Sequence, residues 1–536
     1  MSRVYSKDLL YQLASVGLLI AVVSGCSDSS DSRRAVVEPP TVVVEQANPN
    51  DFLDKSLAEQ VLAVEDGTLD CEGLVNAYVE RITVEDEGPE GINAMLSMVE
   101  DPAALAREVD ATRGDGLSLQ CGIIVLKDNI DMAGLPTTAG SLALANNLTD
   151  KDAPLVALLR EQGAVLLGKT NLSEWANYRG NGSTNGWSSL GGQTRNGFDG
   201  ESDPCGSSSG SAAAVAAGMV TASVGTETMA SIVCPASSNG VVGMKPTIGL
   251  VSRTDVIPIS FTFDTAGPIT RTVRDAARML SVMAGLDQAD TATMDIPADM
   301  DLNFEAQLDG ATLDGLRIGV IENWGLAAPD DVEPIDALFK EELVRIETAG
   351  VTLVPVALNF YPQAFSDEIT ISASEFKPGL NDYLSRHAVP GQITNLTELI
   401  LFNQDNADEV MPFFGQELLQ AAESLPGLDN PPYQESVERF TRMAGEEGIL
   451  KVMQENDLDA LISPTWGPAP PITYPSVFSV PTRIVLFAAW ARYPHITVPM
   501  GLVDGLPVGL SVVAAPWQDA TVLSIAYAYE QLDDGE

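Results

Sequence analysis

The sequence predicts an α/β sandwich, and three stretches carry the prediction. CGIIVLKDNI (Cys121 to Ile130) and AVLLGKTN (Ala164 to Asn171) are apolar runs ending in polar residues, as strands buried on both faces are. Between them Asp152 to Gln162 reads as a helix, with Asp152 placed to cap its start and Gly163 just past its end. Buried strands separated by helices stack as layers around a core.

Upstream, Leu57 to Ile82 alternates helical signals with charged surface positions and includes LVNAYVERI (Leu74 to Ile82). The second buried strand also contains Gly163-x-x-x-x-Gly168-Lys169-Thr170, a literal phosphate-loop pattern. It is rejected. Such a loop needs permissive residues between strand and helix so that backbone N–H groups can wrap the anion, whereas Ala164 to Leu167 are all apolar. Lys169 is expected to be structural. Gly180 to Gly210 is a Gly/Ser/Asn-rich stretch too long for a mere turn, and such loops usually carry function. Ser211 to Val220 (SAAAVAAGMV) then reads as a small-residue helix suited to close packing, and Ala222 to Thr228 (ASVGTET) as a strand running into a turn. A Pro-rich, less regular stretch from about 320 to 480 reads as insertions that shape a pocket. His495 to Gly501 and Leu506 to Ala515 read as strands, and Val522 to Gln531 as the closing helix. No internal repeat stands out.

With 536 residues, 45% of them apolar, the chain can bury one large core or two modest ones. Its formal charge of -46 argues for solubility in a salty medium and against a nucleic-acid groove, since the polyphosphate would be repelled. Residues 1–26 read as an export signal. Arg3 and Lys7 supply positive charge, Val16 to Val23 is apolar but too short to span a bilayer comfortably, and VSGC ends at Cys26. Ser24 and Gly25 before Cys26 resemble the lipobox of bacterial lipoproteins, in which the cysteine becomes the lipidated first residue. Ser27 resembles outer-membrane sorting. The expected address is an outer-membrane lipoprotein attached through Cys26, with a periplasmic or secreted protein as the alternative. Residues 27–52 suit a flexible tether, and 53–536 one domain. The remaining cysteines, Cys71, Cys121, Cys205 and Cys234, are too few for a disulfide framework, although export would permit a bond. No CxxC occurs, and two distant histidines argue against a zinc site.

The chemistry concentrates in two serines and a lysine. Ser207 lies in PCGSSSGS (Pro204 to Ser211), Ser231 in GTETMASIVCP (Gly225 to Pro235) and Lys127 in VLKDNIDMAG (Val125 to Gly134). A serine nucleophile needs a group to take its proton, and the only imidazoles are His387 and His495. A lysine acting through a second serine is the other solution to that problem.

These blocks, with GVVGMKPTIGLVSR (Gly240 to Arg253), LLGKTNLSEWANYRGNGSTNGWSSLGGQTRN (Leu166 to Asn196) and DTAGPITRTVRDAARML (Asp264 to Leu280), resemble the signature blocks of the amidase signature family. The resemblance runs from about residue 55 to 533. It implies a central mixed β-sheet covered by helices on both faces. It also implies Ser231 as nucleophile, Ser207 as bridging serine after a cis bond from Gly206, and Lys127 as ultimate base and acid. The backbone N–H groups of Thr228, Met229, Ala230 and Ser231 would form the oxyanion hole. One departure matters. Family members often carry glycines before the nucleophile, whereas this chain has Met229-Ala230, and alanine lacks glycine's access to φ > 0. Asp128, beside Lys127, would oppose the lysine's neutral form if it faced the ammonium, and is expected to point elsewhere.

Within the family, WANYRG to PCGSSSGS, GTET and SIVCPAS look closest to bacterial peptide amidases, which implies removal of the C-terminal amide of peptides with release of ammonia. Trp466, Phe487 and Arg492 are candidates for the substrate pocket. The alternatives are an exported amidase of broad aliphatic or aryl-amide specificity, and an inactive surface-binding lipoprotein of the same fold. A transamidosome-type amidotransferase would need tRNA partners, which the -46 charge and the export signal oppose. No cofactor, metal, nucleic acid or obligate protein partner is implied.

Overall fold

The computed structural model describes residues 46–114, 116–387, 392–477 and 481–532. Its strands are β1 Met95–Met98, β2 Ile123–Lys127, β3 Val165–Thr170, β4 Trp187–Ser188, β5 Gly192–Gln193, β6 Ala222–Glu227 and β7 Val242–Lys245. They continue as β8 Thr265–Thr270, β9 Arg317–Ile321, β10 Thr352–Val356, β11 Ala460–Pro464, β12 His495–Val503 and β13 Leu506–Val513. All but the β4–β5 pair join one 11-stranded sheet in the order β1-β3-β2-β6-β8-β7-β12-β13-β11-β9-β10. The sheet is mixed. β3, β2 and β6 are parallel, as are β11, β9 and β10, and the pairs between these groups are antiparallel.

The apolar runs are explained by burial on both faces. Ile123 and Val125 join one core cluster and Ile124 and Leu126 the other, while Leu166 of β3 faces away from Val165 and Leu167. A strand covered on both sides has no solvent face to alternate with, so its sequence loses the period of two. The literal phosphate-loop pattern is confirmed as strand β3.

Three local readings need correction. The helix after Asp152 spans Pro154–Glu161 and has no side-chain cap. The Asp152 carboxylate instead accepts from Ala133 N at 2.8 Å and pairs with Arg160 Nε at 2.7 Å, and Pro154 starts the helix with φ already set. The region 320–480 is far more regular than its prolines suggested. It adds β9, β10 and β11 to the sheet and contains the helices Pro329–Thr348 and Ala364–Arg386, with Pro334 and Pro378 inside them. The four cysteines do form bonds, Cys71–Cys121 and Cys205–Cys234.

The expected address is also corrected. Among the described residues no helix is long and apolar enough to cross a membrane. The four described cysteines are closed into disulfides, so none of them offers a thiol for lipid attachment. The export signal, Cys26 and most of the 27–52 tether lie outside the described residues.

Candidate active site

Lys127 ends β2 and Thr226 lies near the end of the adjacent parallel strand β6, so the carboxyl ends of two neighbouring strands present them together. This is where open α/β sheets place ligand chemistry. The Lys127 side chain is fully buried. Its Nζ lies 2.8 Å from Ser207 Oγ, 2.9 Å from Thr226 Oγ1 and 3.1 Å from Thr226 O. Burial pushes the Lys127 pKa down to about 7, and Asp264 and Glu227 oppose that shift without cancelling it. A neutral amine has two hydrogens and one lone pair. The Thr226 carbonyl can only accept, and Thr226 Oγ1, which also receives Asn129 Nδ2 at 3.0 Å, accepts the other hydrogen. The lone pair is left for the Ser207 hydroxyl.

Ser207 enters through a cis peptide bond from Gly206, as the resemblance implied. A Cβ on Gly206 would stand 2.4 Å from Ser173 Oγ and 2.9 Å from Asn185 Oδ1, so a larger residue would have to displace both side chains. The next residue latches the loop to the sheet. Ser208 Oγ donates to Thr226 O at 3.0 Å and accepts from Thr226 N at 3.2 Å, and Ser208 N donates to Ser231 O at 3.1 Å. Ser207 and Ser231 are thereby brought onto one short stretch of β6 and its exit turn.

Ser231 follows that turn, and its hydroxyl lies 3.5 Å from Met229 O. Ala230 sits at φ +65°, in the left-handed region, so the turn does demand the conformation that glycine would take without strain. Neighbours hold it there. Glu227 Oε2 accepts from Ile232 N at 2.7 Å and Val233 N at 3.1 Å, tying the start of helix Val233–Ser238 back to the end of β6. Burial raises the Glu227 pKa, opposed by Lys245 and by these N–H donors. Among the described residues the N–H groups of Met229 and Ser231 have no backbone acceptor.

A cavity of about 590 Å³ opens against Thr226 and Thr228. Asp264 stands in its wall, accepting from Thr228 Oγ1 at 2.6 Å, Ile259 N at 2.7 Å and Ser260 N at 2.8 Å, with its pKa pushed up to about 6 by burial. Ile257, Ile259 and Pro378 supply an apolar side. The pocket residues expected from sequence are elsewhere. Trp466 is buried in the core and bridges to Pro481, and Phe487 stacks on Phe360 at 5.4 Å. Arg492 is the left-handed C-cap of helix Arg483–Ala491, and burial lowers its pKa. None of the three is among the residues that line this cavity, and neither are Lys127, Ser207 and Ser231, which it adjoins at Thr226 and Thr228.

Asp128 points away from the lysine, as expected. It pairs with the buried Lys169 at 3.0 Å and accepts from Thr138 N at 3.1 Å. Lys169 is accordingly structural. Neither imidazole is hydrogen-bonded to Ser207 or Ser231. His495 Nε2 meets Ser511 Oγ at 2.7 Å, and burial drives its pKa down to about 3. His387 lies 3.1 Å from Asp131 and 3.8 Å from Asp255. Those three side chains are close enough for a metal ion, but Arg386 already pairs with Asp255, and the group reads as an ion-pair cluster. Sequence reasoning did not single out Thr226, Asn129, Glu227 or Asp264. Thr226 and Glu227 stand inside the GTET block, Asn129 inside VLKDNIDMAG and Asp264 at the start of DTAGPITRTVRDAARML, so all four lay within the quoted blocks.

The Amidase family profile matches residues 73–523. The chain is 43% identical to the native peptide amidase of Stenotrophomonas maltophilia, whose crystal structure covers 90% of this chain and 98% of its own length at a TM-score of 0.85. It is 34% identical over 486 residues to a probable amidase of Arabidopsis thaliana, covering 88% of each. It is also 32% identical to an amidase family protein of Bacillus anthracis, whose crystal structure covers 91% of this chain and 93% of its own length at a TM-score of 0.80. With 98% of the peptide amidase matched by this enzymatic body, the comparison lends no support to an anchor, and the signal-peptide, lipoprotein and outer-membrane readings are not retained. A profile match over most of the length, and likeness to amidases nearly end to end, agree with a lysine that reaches a serine without an imidazole: the chain belongs to the amidase signature family and is a serine hydrolase that cleaves amide C–N bonds.

Proposed function

We propose that the enzyme deamidates the C-terminal carboxamide of peptides through Ser231, Ser207 and Lys127. The observation that carries the reading is the buried Lys127 Nζ, 2.8 Å from Ser207 Oγ and shifted toward its neutral form. Ser231 Oγ attacks the amide carbonyl carbon while its proton passes to Ser207, whose own proton passes to Lys127. The tetrahedral oxyanion is met by the N–H groups of Met229 and Ser231, each such donor being worth about 3 kcal/mol. Lysinium then returns its proton through Ser207 to the leaving nitrogen. The C–N bond breaks, ammonia departs and an ester to Ser231 remains. Water attacks that ester as the same relay runs again, freeing the carboxylic acid and Ser231. The peptide substrate is supported by the 43% identity to a peptide amidase and by a mixed polar and apolar cavity beside Thr228.

Ammonia release from a panel of peptide amides and simple aliphatic amides tests the reading. Ser231→Ala should form no acyl-enzyme. Ser207→Ala should retain a residue of turnover, reduced by roughly 10²–10⁴-fold, because water can replace the hydroxyl bridge. Lys127→Ala should be lower still. A folded Lys127→Ala enzyme with near-wild-type hydrolysis would refute the triad, and a preference for aliphatic amides would refute the substrate.

A further inference from the structure

We infer that the Cys205–Cys234 disulfide is a positioning device for catalysis, setting the placement of Ser207 against Ser231. The inference rests on the Ser231–Ser207–Lys127 reading. Cys205 precedes Ser207 by two positions and Cys234 follows Ser231 by three, so one covalent bond joins the two serine-bearing segments within a turn of each hydroxyl. Both ends are held independently. Cys205 N donates to Asp203 Oδ1 at 2.7 Å, and the Cys205 carbonyl accepts from Ser209 Oγ at 2.6 Å. Asp203 is itself fixed by Asn185 Nδ2 at 3.0 Å and Ser476 Oγ at 2.8 Å. On the other side, Cys234 N donates to Ala230 O at 2.9 Å, in the helix whose start is held by Glu227. The bond therefore links an Asp203-anchored loop to a Glu227-anchored turn.

The need for such a link follows from the relay. Two proton transfers in series require both hydroxyls at hydrogen-bond distance together, and Ser231 follows an alanine held at φ +65°. Ser207 follows Cys205, itself at φ +54°, and Gly206. Two segments in unusual conformations would each relax on their own. Tied together, they relax only jointly. Cys205 is 6% exposed and Cys234 fully buried, so the bond lies in the core and is not a surface clasp.

The second disulfide gives an internal control. Cys121 lies just before the start of β2, whereas Lys127 is at its other end, and the Cys71–Cys121 loop spans 50 positions against 29 for Cys205–Cys234. By chain entropy the longer loop is at least as stabilising. Full-length Cys205→Ala/Cys234→Ala and Cys71→Ala/Cys121→Ala should be compared for Tm, kcat, KM and the rate of Ser231 acylation by an active-serine probe.

A misplacement of about 1 Å costs on the order of 10²-fold, so removing Cys205–Cys234 should lower kcat and the acylation rate by roughly 10- to 100-fold with KM little changed. Removing Cys71–Cys121 should lower Tm at least as far and leave kcat alone. Unchanged kcat in the folded Cys205→Ala/Cys234→Ala enzyme overturns the inference, as does equal loss of kcat in both variants. Should that variant not fold, wild-type enzyme is reduced with a phosphine and alkylated, and activity is compared with the fraction of each bond opened, found by peptide mapping. Activity that tracks Cys205–Cys234 supports the inference, and activity indifferent to it overturns it. Failure of the underlying triad is read separately, from Ser207→Ala and Ser231→Ala.

Discussion

Replacing Lys127 with methionine should remove activity and yet stabilise the fold at neutral pH. The side chain is fully buried, and its pKa falls from 10.5 to about 7. At roughly 1.4 kcal/mol for each tenfold change, that difference costs the native state about 5 kcal/mol. The sign follows from proton counts. Between about pH 7 and 10.5 the unfolded chain holds a proton on Lys127 that the folded chain lacks, so stability rises with pH there. The penalty is absent above about 10.5, accumulates as pH falls, and is complete below about 7. Methionine has nearly the same reach and carries no such penalty. It leaves Ser207 Oγ and Thr226 Oγ1 without the amine, at a cost of about 1–3 kcal/mol, while Thr226 O keeps the Ser208 hydroxyl. The variant should gain about 2–4 kcal/mol at pH 7, and its advantage should shrink by about 1.4 kcal/mol per pH unit toward pH 10. Urea denaturation of both proteins at pH 7, 8 and 9 measures this. A Lys127→Met protein less stable than wild type by a pH-independent amount would refute the argument, because the native lysine would then be charged and compensated.

Two further outcomes belong to the same site. The wild-type kcat/KM should fall about tenfold per pH unit below the Lys127 pKa of about 7, since only the neutral amine can accept the serine proton, and a flat profile from pH 7 to 5 would exclude Lys127 as the base. Ala230→Gly relieves a left-handed alanine worth about 1–2 kcal/mol of strain and adds about 0.5–1 kcal/mol of unfolded-state freedom, so thermal unfolding should show a small net gain with kcat preserved. A clear loss of stability would mean that the turn carries no strain.

The sheet was legible where strands are buried on both faces, because β2 and β3 open on apolar runs and end in polar residues, of which Lys127 at the end of β2 belongs to the site. The region 320–480 was not. Its prolines read as a sign of irregular chain, yet Pro334 and Pro378 each lie inside a long helix whose packing outweighs one missing N–H bond. The disulfides escaped because counting cysteines says nothing about partners 50 and 29 positions apart that only the folded chain juxtaposes. The serines and lysine were legible from blocks of contiguous text. The cavity was not, because its wall joins Thr228, Ile257 and Pro378, which lie far apart in sequence and carry no local signature. Trp466 and Phe487 illustrate the same limit: an aromatic residue announces burial, not which cavity it faces.

A neutral lysine in a chain of net charge -46 looks paradoxical, since every carboxylate favours the ammonium. The resolution is local. Asp128, adjacent in sequence, spends its charge on Lys169 and Thr138. Glu227 is engaged by the N–H groups of Ile232 and Val233. Asp264 is held by Thr228 and two backbone donors, and its pull on the lysine, like that of Glu227, is outweighed by burial. The surface acids act across solvent and are screened within about 10 Å at ordinary salt, whereas the lysine's desolvation acts at contact. Burial therefore decides the proton affinity of Lys127, and the acidic exterior is left free to serve solubility without disabling the base.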